Sequence, residues 1–164
     1  MNFSSAQMYD VFFWLHIISY FCWLSAFAGS LFYGLKVWQE NDLQPQQNFM
    51  HFERLVTSIG GHIGALGILI SGVALTSMGP YHWGWFRVQL YPWLAAKQVL
   101  FIIILVLIPF SIKRSMDFKN KLQNEELSDS AKAESWRKAY RMSLVVYFLV
   151  VVDTILGLTK PGLG

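Results

Sequence analysis

The stretch from Val11 to Val37 limits the possible folds more than any other part of this chain. It contains no Asp, Glu, Lys or Arg before Lys36. A run of about 27 such residues is long enough to cross the hydrocarbon core of a bilayer with some tilt. Inside hydrocarbon every backbone polar group needs an internal partner, so the stretch predicts a transmembrane α-helix.

Three more apolar stretches follow, and the composition agrees with a membrane protein. Of the 164 residues, 54% are hydrophobic and only 14% are charged, whereas soluble domains are nearer a quarter charged. The sequence predicts an all-α membrane protein, a four transmembrane helix bundle that forms one domain over residues 1–164. The expected spans are about 9–38, 54–78, 92–113 and 140–158. Between them we expect a polar loop at 39–53, an aromatic interfacial loop at 79–91, and a charged, partly helical loop at 114–139.

Lysine and arginine are distributed unevenly between the two ends of this bundle. Ten of them lie in or beside the loops 39–53 and 114–139, and only Arg87 and Lys160 lie at the other end. The positive-inside rule then predicts that both basic loops are cytoplasmic and both termini outside, in the cell inner membrane. The basic residues crowd beside apolar spans, so the expected partner is the lipid bilayer and no nucleic acid is expected. One cysteine excludes an internal disulfide.

Four histidine or charged side chains lie in the interior of the predicted spans, away from the ends: His16, His62, Lys97 and Asp153. At 1.5 Å per residue, His16, Lys97 and Asp153 each lie roughly 8–9 Å below the outer ends of their spans. A lone charge at that depth costs a few kcal/mol, so pairing or water access is expected. Lys97 and Asp153 are therefore candidate catalytic groups. Two simpler roles stay open, an ion pair between them and a lysine that snorkels outward.

His16 is the candidate cofactor ligand of the first span. It shares one helical face with several aromatic and small residues, namely Ser19, Tyr20, Trp23, Phe27, Ser30 and Gly34. Imidazole is a common ligand of haem iron, and Trp23 and Phe27 could wall a porphyrin. The alternative is an imidazole hydrogen-bonded to a backbone carbonyl or a serine of a neighbouring span.

His62 is the possible second metal ligand. Its depth is roughly 12 Å from the inner end of the second span, several ångströms lower than His16. One haem needs its two axial ligands on opposite sides of the iron, so this difference counts against a simple pair. The other histidines are expected outside the spans, His51 in solvent and His82 at the interface.

One face of the second span carries small residues at four-residue or similar spacing: Gly60, Gly64, Gly67 and Ser71. Such a face allows close approach of a neighbouring helix backbone. It could dock a helix of a homodimer partner or of another membrane subunit.

Several short motifs resemble the HemJ-type membrane protoporphyrinogen oxidases and the wider CopD-like four-span proteins. The segment WLHIISYFCWLSAFAGSLFYGLKV is similar to the first span of that family, with His16 on its histidine. FERLVTSI is similar to the entry of the second span, and PWLAAKQVLFIIILVL to the third, with Lys97 on its lysine. The closing KPG is also similar. The resemblance implies a role for His16 and Lys97 in binding haem or in catalysis.

The sequence also departs from the family pattern. GLKVWQ lacks the arginine and histidine that end the first span of the family, and Ala95 stands where the family has a histidine. The N-E-x-P-T entry to the fourth span is missing near Arg141, and His62 and Asp153 have no family counterpart. The resemblance therefore implies a haem-bearing redox relative rather than protoporphyrinogen oxidation specifically.

Three functions follow as hypotheses. The first is a b-type haem redox protein that oxidises a porphyrinogen-like or quinol-like small-molecule donor or passes electrons. In it, His16 would bind iron, with His62 as the candidate second ligand. Lys97 would hold a carboxylate, and Asp153 would transfer protons. The second is a non-enzymatic subunit or assembly factor of a larger membrane complex. The third is a metal or proton pathway.

Overall fold

Four long α-helices make up the described part of the chain. The computed structural model describes residues 5–78, 84–124 and 126–160. The helices are α1 (Ser5–Gln39), α2 (Leu43–Met78), α3 (Pro92–Leu122) and α4 (Asp129–Thr159). Each is long and apolar enough to cross a membrane. The predicted all-α, four-span bundle is confirmed. His82 and the Pro161–Gly162 part of the closing motif lie outside the described residues.

The helix ends follow local sequence signals. Pro92 begins α3, where its missing N–H group would have had no intrahelical partner. Ser128 caps α4, because its side chain accepts a hydrogen bond from the Ala131 N–H group at 3.4 Å. After α4, Lys160 adopts the left-handed conformation with φ 42°, which ends the helix. Pro109 lies inside α3, and the helix continues beyond it to Leu122.

The two basic connections are more helical than the sequence predicts. The segment 39–53 is not mainly a solvent loop, because α2 already begins at Leu43. Most of the predicted loop 114–139 belongs to α3 and α4, which leaves 123–128 as the connection. These extensions have a core of their own, made of Val37, Met50, Phe118, Trp136, Ala139 and Tyr140. Trp136, Ala139 and Tyr140 follow helical spacing, so packing of one apolar face holds these polar segments helical.

Large apolar side chains cover the outside of the bundle. Phe21 is 73% exposed, Ile63 61% and Phe148 65%. An apolar surface spread over all sides of a soluble protein would drive aggregation, whereas lipid chains cover it in a bilayer. The exposed surface therefore agrees with an integral membrane protein.

The small-residue face of α2 packs against α1 of the same chain. A Cβ atom added at Gly60 would lie 2.7 Å from the Ala26 Cβ, and one added at Gly64 would lie 3.0 Å from the Ser19 carbonyl oxygen. These distances leave no room for a side chain, so the glycines allow α1 and α2 to approach closely. The hypothesis that this face docks a partner helix loses its basis, because α1 already occupies the face.

α4 lies against the other helices at the centre of the bundle. Its Val146, Tyr147 and Val150 form the main core with Tyr20 and Trp23 of α1, together with Ile68 of α2 and Ile104 of α3. α3 packs closely on α4, whereas α2 and α3 stand apart along one side. This separation opens the space described next.

Candidate functional site

A buried ion pair between α3 and α4, with a tyrosine of α1 beside it, lies near the end of the bundle where α1 begins and α4 ends. Lys97 Nζ lies 3.2 Å from Asp153 Oδ2. The Tyr20 hydroxyl donates a 2.6 Å hydrogen bond to the same carboxylate oxygen, and Lys97 Nζ lies 3.5 Å from the Tyr20 oxygen. Asp153 is only 5% exposed. The structure thus brings Lys97 and Asp153 together, and the lysine does not snorkel away.

His16 adjoins this group through Tyr20. The two rings meet edge to face, with their centroids 4.9 Å apart. His16 Nδ1 lies 2.8 Å from the Ser71 Oγ, and the single hydroxyl proton of Ser71 is donated to the Gly67 carbonyl. His16 Nδ1 is therefore the donor, and Nε2 carries the lone pair. Hydrogen bonding to a serine of a neighbouring span was the simpler alternative for His16. Iron ligation by His16 stays a prediction.

An open groove, the α2–α3 groove, runs between α2 and α3. The space between the two helices is about 840 Å³, a volume that includes the part open to the outside. One continuous helical stripe of each wall lines it: Arg54, Thr57, Ser58, Gly61, His62, Ala65 and Ile68 of α2, and Phe101, Ile104, Leu105, Ile108, Ser111, Ile112 and Ser115 of α3. The floor is formed by Tyr20 and Trp23 of α1 and by Ser143, Val146, Tyr147, Val150 and Asp153 of α4.

His62 lies in the wall of this groove and is exposed. Its Nδ1 donates a hydrogen bond to the Ser58 carbonyl one turn earlier. A carbonyl can only accept, so Nε2 is the nitrogen with the lone pair in the neutral form of this imidazole. A ligating histidine usually has this arrangement, with its second nitrogen donating to a carbonyl or carboxylate.

The two predicted metal ligands lie at different levels of the bundle. His16 is bonded to Ser71, and Ser71 is nine residues from His62 along α2, which corresponds to about 13 Å. His16 is not one of the described residues that line the α2–α3 groove. The structure therefore does not place these imidazoles on opposite sides of one common site.

The predicted aromatic wall packs around Tyr147. The Trp23 ring lies edge to face with the Tyr147 ring at 4.4 Å, and the Phe27 ring stacks on it at 4.9 Å. Trp23 and Tyr147 line the groove, whereas Phe27 is not part of the described lining. Contact of Trp23 and Phe27 with a porphyrin stays a prediction.

A second buried ion pair, which sequence reasoning missed, lies toward the basic end of the bundle. The carboxylate of Glu53 is fully buried and accepts hydrogen bonds from the Arg54 Nε and Nη2 atoms at 2.5 Å each. It also accepts hydrogen bonds from three neutral donors: Ser30 at 2.6 Å, Thr57 at 2.9 Å and the Trp136 indole at 3.2 Å. Together these donors provide the hydrogen bonds that a carboxylate without access to water requires.

The sequence did not point to Glu53 because the predicted second span begins one residue later, at Arg54. The available signal was an acidic and a basic residue directly before a long apolar run. Charged residues at the edge of a span either reach solvent or pair inside the bundle. Here α2 begins at Leu43, so residues 53 and 54 fall well inside the helix.

No group of three or more His, Cys, Asp or Glu side chains within the described ranges could hold a metal ion. His16 and His62 each stand alone as possible protein ligands. A metal bound by either of them would need most of its ligands from another source, such as the four nitrogens of a porphyrin.

Comparison with known proteins gives a family assignment. A family model described as "Predicted integral membrane protein (DUF2269)" matches residues 10–161, almost the whole chain. The chain belongs to the DUF2269 family. No curated protein matches it, and no solved structure does. The family description supports an integral membrane protein, and the resemblance to HemJ-type oxidases stays a prediction.

Proposed function

We propose that this DUF2269 member is an integral membrane redox protein that binds a b-type haem in the α2–α3 groove, where His62 would hold the haem through its iron. The observation that carries the proposal is the hydrogen bond of His62 together with its position in the groove. Its Nδ1 donates to the Ser58 carbonyl, and its ring lines a largely apolar groove. A neutral imidazole with a free Nε2 is suited to bind haem iron.

The residues around His62 fit a flat apolar ring. Phe101, Leu105 and Ile108 of α3 face the groove from one side, and Tyr147 lies in its floor. Next to His62 in the α2 lining, Gly61 and Ala65 are small, so they leave space for a ligand beside the His62 ring. The groove opens along the helices, so a hydrophobic group can enter from the bilayer. Haem bound there would supply one-electron transfer, and the apolar lining would keep water from it.

The Asp153 carboxylate lies at one end of the same groove. Together with Lys97 it is the proposed proton-transfer site for a small-molecule donor such as a quinol or a porphyrinogen. One oxygen of Asp153 is held by Tyr20 and Lys97, whereas Oδ1 has no hydrogen-bond partner among the described residues. A carboxylate with one free oxygen can accept a proton from a bound N–H or O–H group.

His16 remains in the proposal as a possible ligand of a second site, since its Nε2 also carries the lone pair. The proposed location is the cell inner membrane with both termini outside, which rests on the ten-to-two distribution of basic residues. Homodimers and other membrane subunits remain possible partners.

The test is the visible spectrum of the purified protein, oxidised and dithionite-reduced, with a pyridine haemochrome assay. We expect a Soret band from the wild-type protein expressed with ample haem. His62→Ala should remove the band, and His51→Ala is the matched control because His51 is exposed on the same helix. His16→Ala tells whether His16 also binds iron.

Two results would refute the proposal. Wild-type protein without any porphyrin absorbance would remove the cofactor and favour a non-enzymatic membrane subunit. A full Soret band in His62→Ala protein, lost instead in His16→Ala protein, would move the haem out of the α2–α3 groove.

A further inference from the structure

The lining of the α2–α3 groove changes from apolar to polar at one level on three helices. On α2 the polar residues are Arg54, Thr57 and Ser58, and the lining beyond His62 is apolar. On α3 the polar positions are Ser111 and Ser115, and on α4 the polar position at this end is Ser143. Hydroxyl groups and a guanidinium from three helices therefore converge at the basic end of the groove.

Arg54 retains hydrogen-bonding capacity at this end. A guanidinium has five N–H donors. Two of them go to the Glu53 carboxylate at 2.5 Å and one goes to the Ser143 hydroxyl at 3.1 Å. The remaining two have no acceptor in the part of the chain that the structure describes. Glu53 receives three further hydrogen bonds from neutral donors, so its charge does not depend on Arg54 alone.

We infer that this polar end is a carboxylate-binding subsite and that it holds the propionate groups of the haem, an inference that rests on the proposed function. Arg54 would share its guanidinium between Glu53 and a propionate, and the serine hydroxyls would donate to the remaining carboxylate oxygens. Arginine is well suited to this role because its planar fork binds carboxylates bidentately.

The spacing along α2 supports the assignment. Arg54 and His62 are eight residues apart, which corresponds to about 12 Å along the helix axis. Ser58 lies one turn from each of them on the same lining stripe. A single ligand that lies along the groove can therefore contact His62 at its centre and Arg54 through its carboxylates.

Lys97 was the residue expected from the sequence to hold a carboxylate. Its Nζ atom is already 3.2 Å from Asp153, and Lys97 does not belong to the described groove lining. A propionate at Lys97 would have to compete with that buried pair. Arg54 is also paired, with Glu53, but it keeps two unused N–H donors and has serine hydroxyls beside it in the groove lining. The hydrogen-bonding capacity of the Arg54 end therefore favours it over Lys97.

The test compares haem with haem dimethyl ester, in which both carboxylates are esterified. Purified apo-protein in nanodiscs is titrated with each ligand, and the Soret change gives the two dissociation constants. We expect wild-type protein to bind haem at least tenfold more tightly than the ester, relative to the ratio measured with empty nanodiscs.

Variants assign that preference to the polar end. Ser58→Ala/Ser115→Ala protein keeps Arg54, so its preference for haem over the ester should fall by about threefold or more, with little change in ester binding. Ser25→Ala is the matched control, because Ser25 is exposed and its hydroxyl bonds the Phe21 carbonyl of its own helix. The serine variants are preferred to a change at Arg54, because removing Arg54 would leave Glu53 buried without its cation.

The outcomes separate the two proposals. Equal affinity for haem and ester in wild-type protein would overturn the carboxylate subsite and leave the haem proposal intact. An unchanged ratio in the double serine variant would also overturn the subsite. No specific binding of either ligand would overturn the proposed function and the subsite with it.

Discussion

Replacement of Lys97 by methionine should destabilise the protein strongly, because it leaves the Asp153 carboxylate buried without its cation. The two charged atoms are 3.2 Å apart, and their side chains are only 17% and 7% exposed. After the change the carboxylate keeps a single hydrogen bond, from the Tyr20 hydroxyl. Methionine is apolar and similar in length to lysine, so packing changes little.

The expected loss is about 3 kcal/mol of unfolding free energy. Removal of one partner of a buried ion pair costs about 3–5 kcal/mol, and the partial exposure of Lys97 places this case near the lower value. A double variant, Lys97→Met/Asp153→Asn, removes both charges. Its asparagine can still accept the Tyr20 hydrogen bond, so we expect it to be within about 1–2 kcal/mol of wild type.

Unfolding can be followed by tryptophan fluorescence as SDS is added to mixed micelles, since the chain has seven Trp residues. The control is Lys138→Met, which breaks the exposed pair of Lys138 and Glu134. Those side chains are 62% and 64% exposed, so no measurable change is expected.

Two results would contradict this reasoning. Lys97→Met protein as stable as the Lys138→Met control would mean that Asp153 does not need the cation. If the loss in the double variant equals the sum of the losses in Lys97→Met and Asp153→Asn proteins, measured separately, then Lys97 and Asp153 do not interact energetically.

Two further predictions concern helix packing and orientation. Gly64→Ala should lower the unfolding free energy by about 1–3 kcal/mol, because a Cβ atom there would lie 2.7 Å from a side chain of α1. Gly72→Ala is the control and should have little effect, because its nearest contact would be at 3.6 Å. Equal SDS midpoints for the two variants would show that α1 and α2 do not approach so closely. In a Cys22→Ala background, a membrane-impermeant maleimide should label Arg87→Cys but not Lys119→Cys in intact cells; the reverse pattern would invert the proposed orientation.

The membrane architecture was predictable because hydrocarbon permits few backbone conformations. Long uncharged runs must be helical there, whatever their neighbours are. The helical extensions beyond the apolar spans were not predictable in the same way. Met50 and Trp136 belong to segments rich in polar residues, and only their mutual packing in one core makes those segments helical.

The candidate site was partly predictable for a related reason. Lys97 and Asp153 could be linked from sequence because an isolated charge in a membrane needs a partner and both lie at one depth. Glu53 and Arg54 gave a weaker signal, because adjacent residues at the edge of a span could equally face solvent. Their burial depends on donors from α1 and α4, Ser30 and Trp136, which are distant in sequence.

The sequence by itself determined that this chain is a four-span helical membrane protein and that Lys97 and Asp153 lie inside it. Apolar length and charge placement act through the local energetics of the bilayer, so they need no knowledge of which helices touch. Only the tertiary structure decided that the glycine face of α2 receives α1, that His16 bonds Ser71, and that α2 and α3 separate to leave His62 in an open groove. Those outcomes depend on how side chains of four helices fit together, and that fit is a property of the whole bundle.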